Sequence, residues 1–322
     1  MKQATLVGIN QLALSDVPVP DVTGPNDVLV KVQAATICGA DVHMLHGHHP
    51  PNRGQYPSPI GHEGAGVVEA VGPEVTSITP GDRVATMEQH NGCLAEYVLT
   101  TTSEVLPIPT EMSFEEAAIL ELHQAVYSMA HQCFRLGETA VIIGQGSAGL
   151  LFTQLARAAG LGQIIVSEPH APKRALARRF GAHVAIDPGR EDLCSVIREV
   201  TGGEGADAVV EASGAQAVYP ALCQLVRPFG TIGIFGTVPG IAPFDFFSLH
   251  MKMLQVVSTG RGTAGYSYRS YAMGLRLVQR GLLQLAPLVT HRFPLAQLEE
   301  AFALASSGRK DVLKVALLPW ED

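Results

Sequence analysis

Between Ala4 and about Pro109, apolar and polar residues alternate in short runs broken by glycine and proline. Runs of this kind at 27–32, 66–71, 82–86 and 95–99 predict β-strands. Near Ser113 the pattern turns helical. Phe114, Ala117, Ala118 and Ile119 follow a serine in the capping position and an acidic first turn at Glu115 and Glu116. From Ala140 onward, buried-type strands at 140–143, 164–166, 208–210 and 231–235 alternate with amphipathic helices such as 148–159 and 171–180. That alternation predicts a doubly wound parallel sheet. A helical segment after about Tyr266, the proline-flanked stretch 287–294, another helix and a final strand near 313–317 complete the chain. The expected fold is therefore α/β, a Rossmann sheet beside a second, mainly β domain.

A chain of 322 residues is too long for one ordinary α/β domain and fits two, each large enough for its own core. Its 47% apolar and 16% charged residues belong to a compact globular protein rather than a disordered one. The formal net charge of -8 argues against a nucleic-acid partner, which needs clustered Lys and Arg, and points to a small molecule. The apolar stretch around Leu150 and Leu151 is broken by Gln154 and Arg157, well short of the roughly 18 residues of a membrane span. No basic segment followed by a continuous apolar one opens the chain, so a cytoplasmic address is expected. Cys38, Cys93, Cys133, Cys194 and Cys223 are too scattered for a disulfide framework.

Candidate chemistry begins after the strand at 140–143, where Gly144-Gln145-Gly146-Ser147-Ala148-Gly149 matches GxGxxG at the start of a helix. Such a loop turns tightly at the first glycine and brings backbone amides to a pyrophosphate at the second. At the third, helix packs on strand. The next strand ends in Glu168, about 20 residues on, where an acid accepts hydrogen bonds from the adenosine ribose. A carboxylate there repels the 2′-phosphate of NADP, so NAD is expected. Lys173, Arg174 and Arg178 offer that phosphate a partner, but read more simply as the solvated face of a helix.

A second constellation lies in the first domain, at Cys38-Gly39-Ala40-Asp41-Val42-His43 and Gly61-His62-Glu63-Gly64. Thiolate, imidazole and carboxylate are the ligand types of a catalytic zinc site with one open position. Taken singly, a lone cysteine reads as core and a lone histidine or glutamate as an exposed residue, so the residues by themselves leave a metal site open. His46, His48 and His49 raise the question of a second metal, but their spacing matches no ligand frame and a solvated loop is expected. Asp207 reads as a strand-end residue, and Glu211 receives no role.

The chain resembles the medium-chain zinc alcohol dehydrogenase family nearly end to end. The likeness is carried by Ile37 through His43, Gly61-His62-Glu63, Pro80-Gly81-Asp82-Arg83-Val84, Ala95-Glu96-Tyr97, the glycine loop, and Pro287-Leu288-Val289-Thr290-His291-Arg292-Phe293-Pro294. The last segment looks most like the polyol (sorbitol) and threonine dehydrogenase branches. The resemblance implies a GroES-like catalytic domain from 1–120 and 267–322 and a Rossmann domain from 121–266. It implies one catalytic zinc per subunit, with Cys38 and His62 as ligands and Glu121 or Glu63 as the carboxylate. Asp41 would fix the tautomer of His62, and His43 would pass the substrate proton to solvent. For the cofactor it implies Gly144, Gly146, Ser147, Ala148, Gly149 and Glu168, with Lys173 nearby. Ser213, Gly214, Gly236, Thr237, Thr259 and Gly260 would lie on the cofactor-facing loops, and Lys314 would reach the pyrophosphate. The implied reaction moves a hydride between an alcohol or polyol and NAD, in a homodimer or homotetramer.

Three positions depart from the family pattern. Only Cys93 stands where relatives with a structural zinc carry four closely spaced cysteines, so that second ion is not expected. Ala40 replaces the usual Ser or Thr of the proton relay, and Leu122 replaces the proline after the metal-region glutamate. Two rival readings follow: a zinc-free, NADPH-linked quinone or enoyl reductase of the same superfamily, and a dinucleotide-binding protein without catalysis. Substrate choice would rest on the loops 44–55 and 266–270.

Overall fold

The computed structural model describes residues 1–51, 54–87, 91–258 and 267–321. The chain divides into two compact units. One comprises Met1–Leu122, Tyr271–Arg276 and Leu285–Asp322, and the other comprises His123–Ser270 and Leu277–Gln284.

In the first unit the strand Asp27–Thr36 is the organising element, with Val28, Val30, Val32, Ala34 and Ala35 all buried. It pairs antiparallel with Glu63–Val71, with Tyr97–Thr101 and with Lys314–Leu318. Its sheet runs in the order Val289–Pro294, Lys314–Leu318, Asp27–Thr36, Glu63–Val71, Arg83–Thr86, Val105–Pro107. The register sets Thr36 opposite Glu63 on one side and opposite Ala316 on the other. Residues far apart in sequence thus meet at one end of the sheet. A smaller sheet of Lys2–Gly8, Gln11–Asp16 and Ser58–Pro59 adjoins, and Leu6, Val30, Ile60, Leu94 and Phe302 belong to the shared core. The stretch at 287–294 contains the strand Val289–Pro294, paired parallel with Lys314–Leu318. The cap expected at Ser113 is present as a full capping box: its hydroxyl accepts from the Glu116 N–H at 3.2 Å, and Glu116 Oε2 accepts from the Ser113 N–H at 3.3 Å.

The second unit holds a six-stranded sheet in the order Val184–Ile186, Gln163–Ser167, Thr139–Ile143, Ala206–Glu211, Val226–Ile234, Gln255–Ser258, all parallel. In sequence order this is 3-2-1-4-5-6, the doubly wound arrangement. Its topological switch point lies between Thr139–Ile143 and Ala206–Glu211, where such sheets bind ligands at their carboxyl ends. The two edge strands, Val184–Ile186 and Gln255–Ser258, are short and only partly buried, and carry no long apolar run to announce them. Among the described residues no helix is long and apolar enough to cross a membrane.

Candidate metal centre and dinucleotide loop

Cys38 ends the segment leaving Asp27–Thr36 and stands at the N-terminus of the helix Gly39–Leu45, while Glu63 opens the neighbouring strand Glu63–Val71 and His62 immediately precedes it. One donor atom from each of Cys38, His62 and Glu63 lies within 4.8 Å of the others. The helix carries Asp41 back beneath this cluster: its Oδ2 accepts the Cys38 N–H at 2.8 Å, and its Oδ1 stands 3.3 Å from His62 Nδ1. The second contact has ion-pair reach without full hydrogen-bond geometry, so both atoms are buried and incompletely satisfied. With Asp41 on Nδ1, the Nε2 of His62 is the nitrogen left for a cation. Burial disfavours the imidazolium, but the charges of Asp41 and Cys38 outweigh it and hold the His62 pKa well above the ordinary value. Burial and the charge of Glu63 push the Cys38 thiol up, against smaller opposing effects of Lys314 and His62. A thiol, an imidazole and carboxylates crowded out of water form a donor set that suits zinc, because a cation favours the thiolate that burial alone disfavours.

Glu63 is fully buried and already paired. Lys314 Nζ lies 2.5 Å from both of its carboxylate oxygens, and the Thr36 hydroxyl donates to one of them. This corrects the expectation for Lys314. Lys314 is 3% exposed, and its ammonium bonds to Glu63 and the Ile37 carbonyl, so it is held in the first unit's interior rather than extended toward a pyrophosphate. Glu121 is buried in the first turn of the helix Leu120–Cys133, outside the three-donor group. Tyr271 is fully buried, and its hydroxyl has no partner among the described residues. Burial and then the charges of Glu121, Cys93 and Glu63 drive its pKa well up. The sequence shows only that Tyr271 lies in a helical segment. His43 sits in the last turn of the helix Gly39–Leu45, half-buried, with a pKa lowered by burial and by His48, His49 and His46.

In the second unit the glycine loop joins Thr139–Ile143 to the helix Ser147–Ala158. A Cβ on Gly149 would sit 1.9 Å from the Gly144 carbonyl oxygen, so only glycine lets helix and strand approach this closely. Gly146 faces open space and caps the helix without a side-chain acceptor. The N–H groups of that first turn, including those of Ser147 and Ala148, are thus available to an anion. Glu168 is buried at the end of Gln163–Ser167. One carboxylate oxygen accepts the Gln145 N–H at 2.8 Å, and the other takes the His170 N–H at 2.9 Å and lies 2.7 Å from His170 Nδ1. Arg174 is turned to the Glu168 and Pro169 carbonyls and to Asp187, so it serves the local fold. Lys173 is partly buried in the same helix.

The model of the alcohol dehydrogenase GroES-like domain matches residues 24–110, and that of the zinc-binding dehydrogenase matches residues 147–280. The L-threonine 3-dehydrogenase of Pyrococcus abyssi (strain GE5 / Orsay) is 33% identical over 331 aligned positions, covering 93% of this chain and 92% of its own. The chain belongs to the zinc-dependent medium-chain alcohol dehydrogenase family. An alcohol dehydrogenase of Cupriavidus necator (strain ATCC 17699 / DSM 428 / KCTC 22496 / NCIMB 10442 / H16 / Stanier 337) is 28% identical over 99% of each chain. A solved structure of a proposed zinc-binding dehydrogenase from Sinorhizobium meliloti 1021, bound to NADP, superposes with a TM-score of 0.86 at 27% identity, over 99% of each chain. The protein is thus an oxidoreductase of this family.

Within that family frame, Glu211 gains a place that its sequence context did not suggest. Fully buried at the end of Ala206–Glu211, its Oε1 accepts from the N–H groups of Ser213 at 2.7 Å and Gly214 at 3.0 Å, and from the Ser213 hydroxyl at 2.5 Å. Its backbone carbonyl takes the Phe235 and Gly236 N–H groups. A Cβ on Gly236 would lie 2.5 Å from the Glu211 carboxylate and 2.3 Å from the Gly214 nitrogen. Glu211 therefore holds together the two loops carrying Ser213, Gly214, Gly236 and Thr237, at the carboxyl ends of neighbouring strands. Thr259 and Gly260 lie outside the described residues.

Proposed function

We propose that this protein is a zinc-dependent, NAD-linked dehydrogenase of small alcohols or polyols. The observation that carries the reading is the convergence of Cys38, His62 and Glu63 within 4.8 Å, with Asp41 behind His62. Cys38 and His62 would hold the ion, with Glu63 or Glu121 as the carboxylate. A bound zinc supplies Lewis acidity that favours the deprotonated form of an alcohol, and a bound NAD supplies the hydride acceptor. Asp41 orients His62, and the 0% exposure of Asp41 and Glu63 keeps water from the rear of the cluster. His43, half-buried and neutral at physiological pH, takes the proton outward in place of a relay hydroxyl at Ala40. The open Gly146 turn and the acid Glu168 support dinucleotide binding. The carboxylate favours NAD, since it accepts from a ribose hydroxyl and repels a 2′-phosphate.

The proposed assembly is a homodimer or homotetramer joined along Gln255–Ser258, one of the two edges of the parallel sheet. Near that edge in sequence, Phe246, Phe247, Met251 and Met253 are 72%, 76%, 63% and 64% exposed, an apolar set that a partner would cover.

The test is turnover of purified protein with NAD and with NADP across a panel of primary alcohols, vicinal diols, polyols and L-threonine. Oxidation of at least one of these with NAD, at a higher specificity constant than with NADP, is expected. Turnover confined to NADPH and a quinone or enone would replace this reading with the zinc-free reductase.

A further inference from the structure

Four histidines gather where the helix Gly39–Leu45 ends. His43 lies in its last turn and His46 at its C-cap, and Gly47, at φ 72°, turns the chain so that the His48 N–H donates to the His43 carbonyl at 2.9 Å. The His43 and His48 ring centroids are 5.8 Å apart, and those of His46 and His48 are 6.0 Å apart. Two imidazoles sharing a tetrahedral ion at about 2.0 Å per bond have centroids roughly 5–6 Å apart, so both pairs stand close to ligand spacing.

The hydrogen bonds behind the rings suit the same purpose. His46 Nδ1 lies 2.6 Å from Asn10 Oδ1, an oxygen that can only accept, so Nδ1 carries the proton and Nε2 keeps its lone pair. Asn10 is itself anchored, its N–H donating to the Leu45 carbonyl at 2.7 Å. His49 Nδ1 is fixed likewise by the Pro50 carbonyl at 2.8 Å. Metal-binding histidines characteristically donate their second ring N–H to such an acceptor. His46 and His48 are exposed, so an ion reaches them from solvent.

We propose that His46 and His48, completed by His43 and water, form a second site for a divalent transition ion of the zinc, nickel or copper type, separate from the Cys38–His62–Glu63 centre. Among the described residues only that centre brings three donors within 4.8 Å, so the histidines must close on the ion by side-chain rotation. The site is correspondingly weaker and exchangeable. Occupation takes His43 out of use as a proton carrier, so the ion inhibits alcohol oxidation. The inhibition rests on the role proposed above for His43, whereas the binding does not.

The experiment adds Ni²⁺ to the zinc-loaded protein and follows binding by calorimetry, with elemental analysis to show that the resident zinc stays. One further equivalent is expected, weakened at least 10-fold in His46→Ala/His48→Ala, with the zinc content of the Cys38–His62–Glu63 centre unchanged. Asn10→Asp, which places a carboxylate behind His46, is expected to tighten it. Ni²⁺ should inhibit the parent protein and spare the double variant. No further equivalent, or equal binding by the double variant, overturns the proposal. Binding without inhibition would leave the site standing and retire His43 from the proton route, which separates the two claims.

Discussion

Lys314 Nζ stands 2.5 Å from each carboxylate oxygen of Glu63, and both side chains are closed to solvent. The charges of Glu63, Cys38 and Asp41 raise the lysine's pKa against the cost of burial, so the ammonium is retained. Removing one partner of such a pair leaves an uncompensated buried charge, which typically costs about 3–5 kcal/mol. Lys314→Met is expected to destabilise metal-free protein by that order in urea unfolding, and Glu63→Gln/Lys314→Met to recover most of the loss. Unchanged stability of Lys314→Met would show that the pair contributes little.

Asp41 links the metal cluster to its helix through the Cys38 N–H and His62 Nδ1. Asp41→Asn keeps an acceptor for the first and loses the charge facing the second. Metal affinity is expected to fall about 10- to 100-fold in competition with a chromogenic chelator, the usual effect of removing such a support. Unaltered affinity would mean that His62 does not depend on Asp41 for its orientation.

Glu168 holds the Gln145 N–H of the glycine loop as well as facing the expected ribose position. Glu168→Ala together with Ser167→Arg removes a repulsive charge and adds a phosphate partner. Its ratio of specificity constants is expected to move toward NADP. A parent protein that already prefers NADP would contradict the role given to Glu168.

His123 carries the clearest pH dependence. Both ring nitrogens are buried without partners among the described residues, and burial pulls its pKa down to about 3. An unfolded chain takes up this proton near the ordinary histidine value of about 6.5, while the folded chain resists until about pH 3. This group therefore leaves stability unaffected above about pH 6.5 and lowers it by about 1.4 kcal/mol per pH unit as pH falls through that window. His123→Leu is expected to flatten the acid side of the stability profile relative to the parent. Identical slopes would show that His123 is protonated in the folded state.

What could be read in the sequence divides along physical lines. The glycine loop and its strand were legible because local sterics demand them: Gly149 meets the Gly144 carbonyl whatever else the chain does. The partners of Glu63 and Lys314 were not, because 251 positions separate them and only the pairing of strands brings them together. Glu211 was hidden for a similar reason, since its acceptor role depends on how two loops fold over a strand end. The histidine loop read as solvated from its glycine and proline content. That reading holds for exposure but misses the contact with Asn10, 36 positions away, that sets the tautomer of His46. The edge strand Gln255–Ser258 escaped notice because edge strands need no continuous apolar run.

The central claim, that Cys38 and His62 hold a zinc ion required for alcohol oxidation, is tested most directly by stripping the protein with a chelator and following NAD reduction as zinc is returned. Activity is expected to vanish with the metal and to return with one tightly bound equivalent per chain, while Cys38→Ser, folded by circular dichroism, should recover little at the same zinc concentration. Full turnover by the stripped protein, or by Cys38→Ser without metal, would contradict the account.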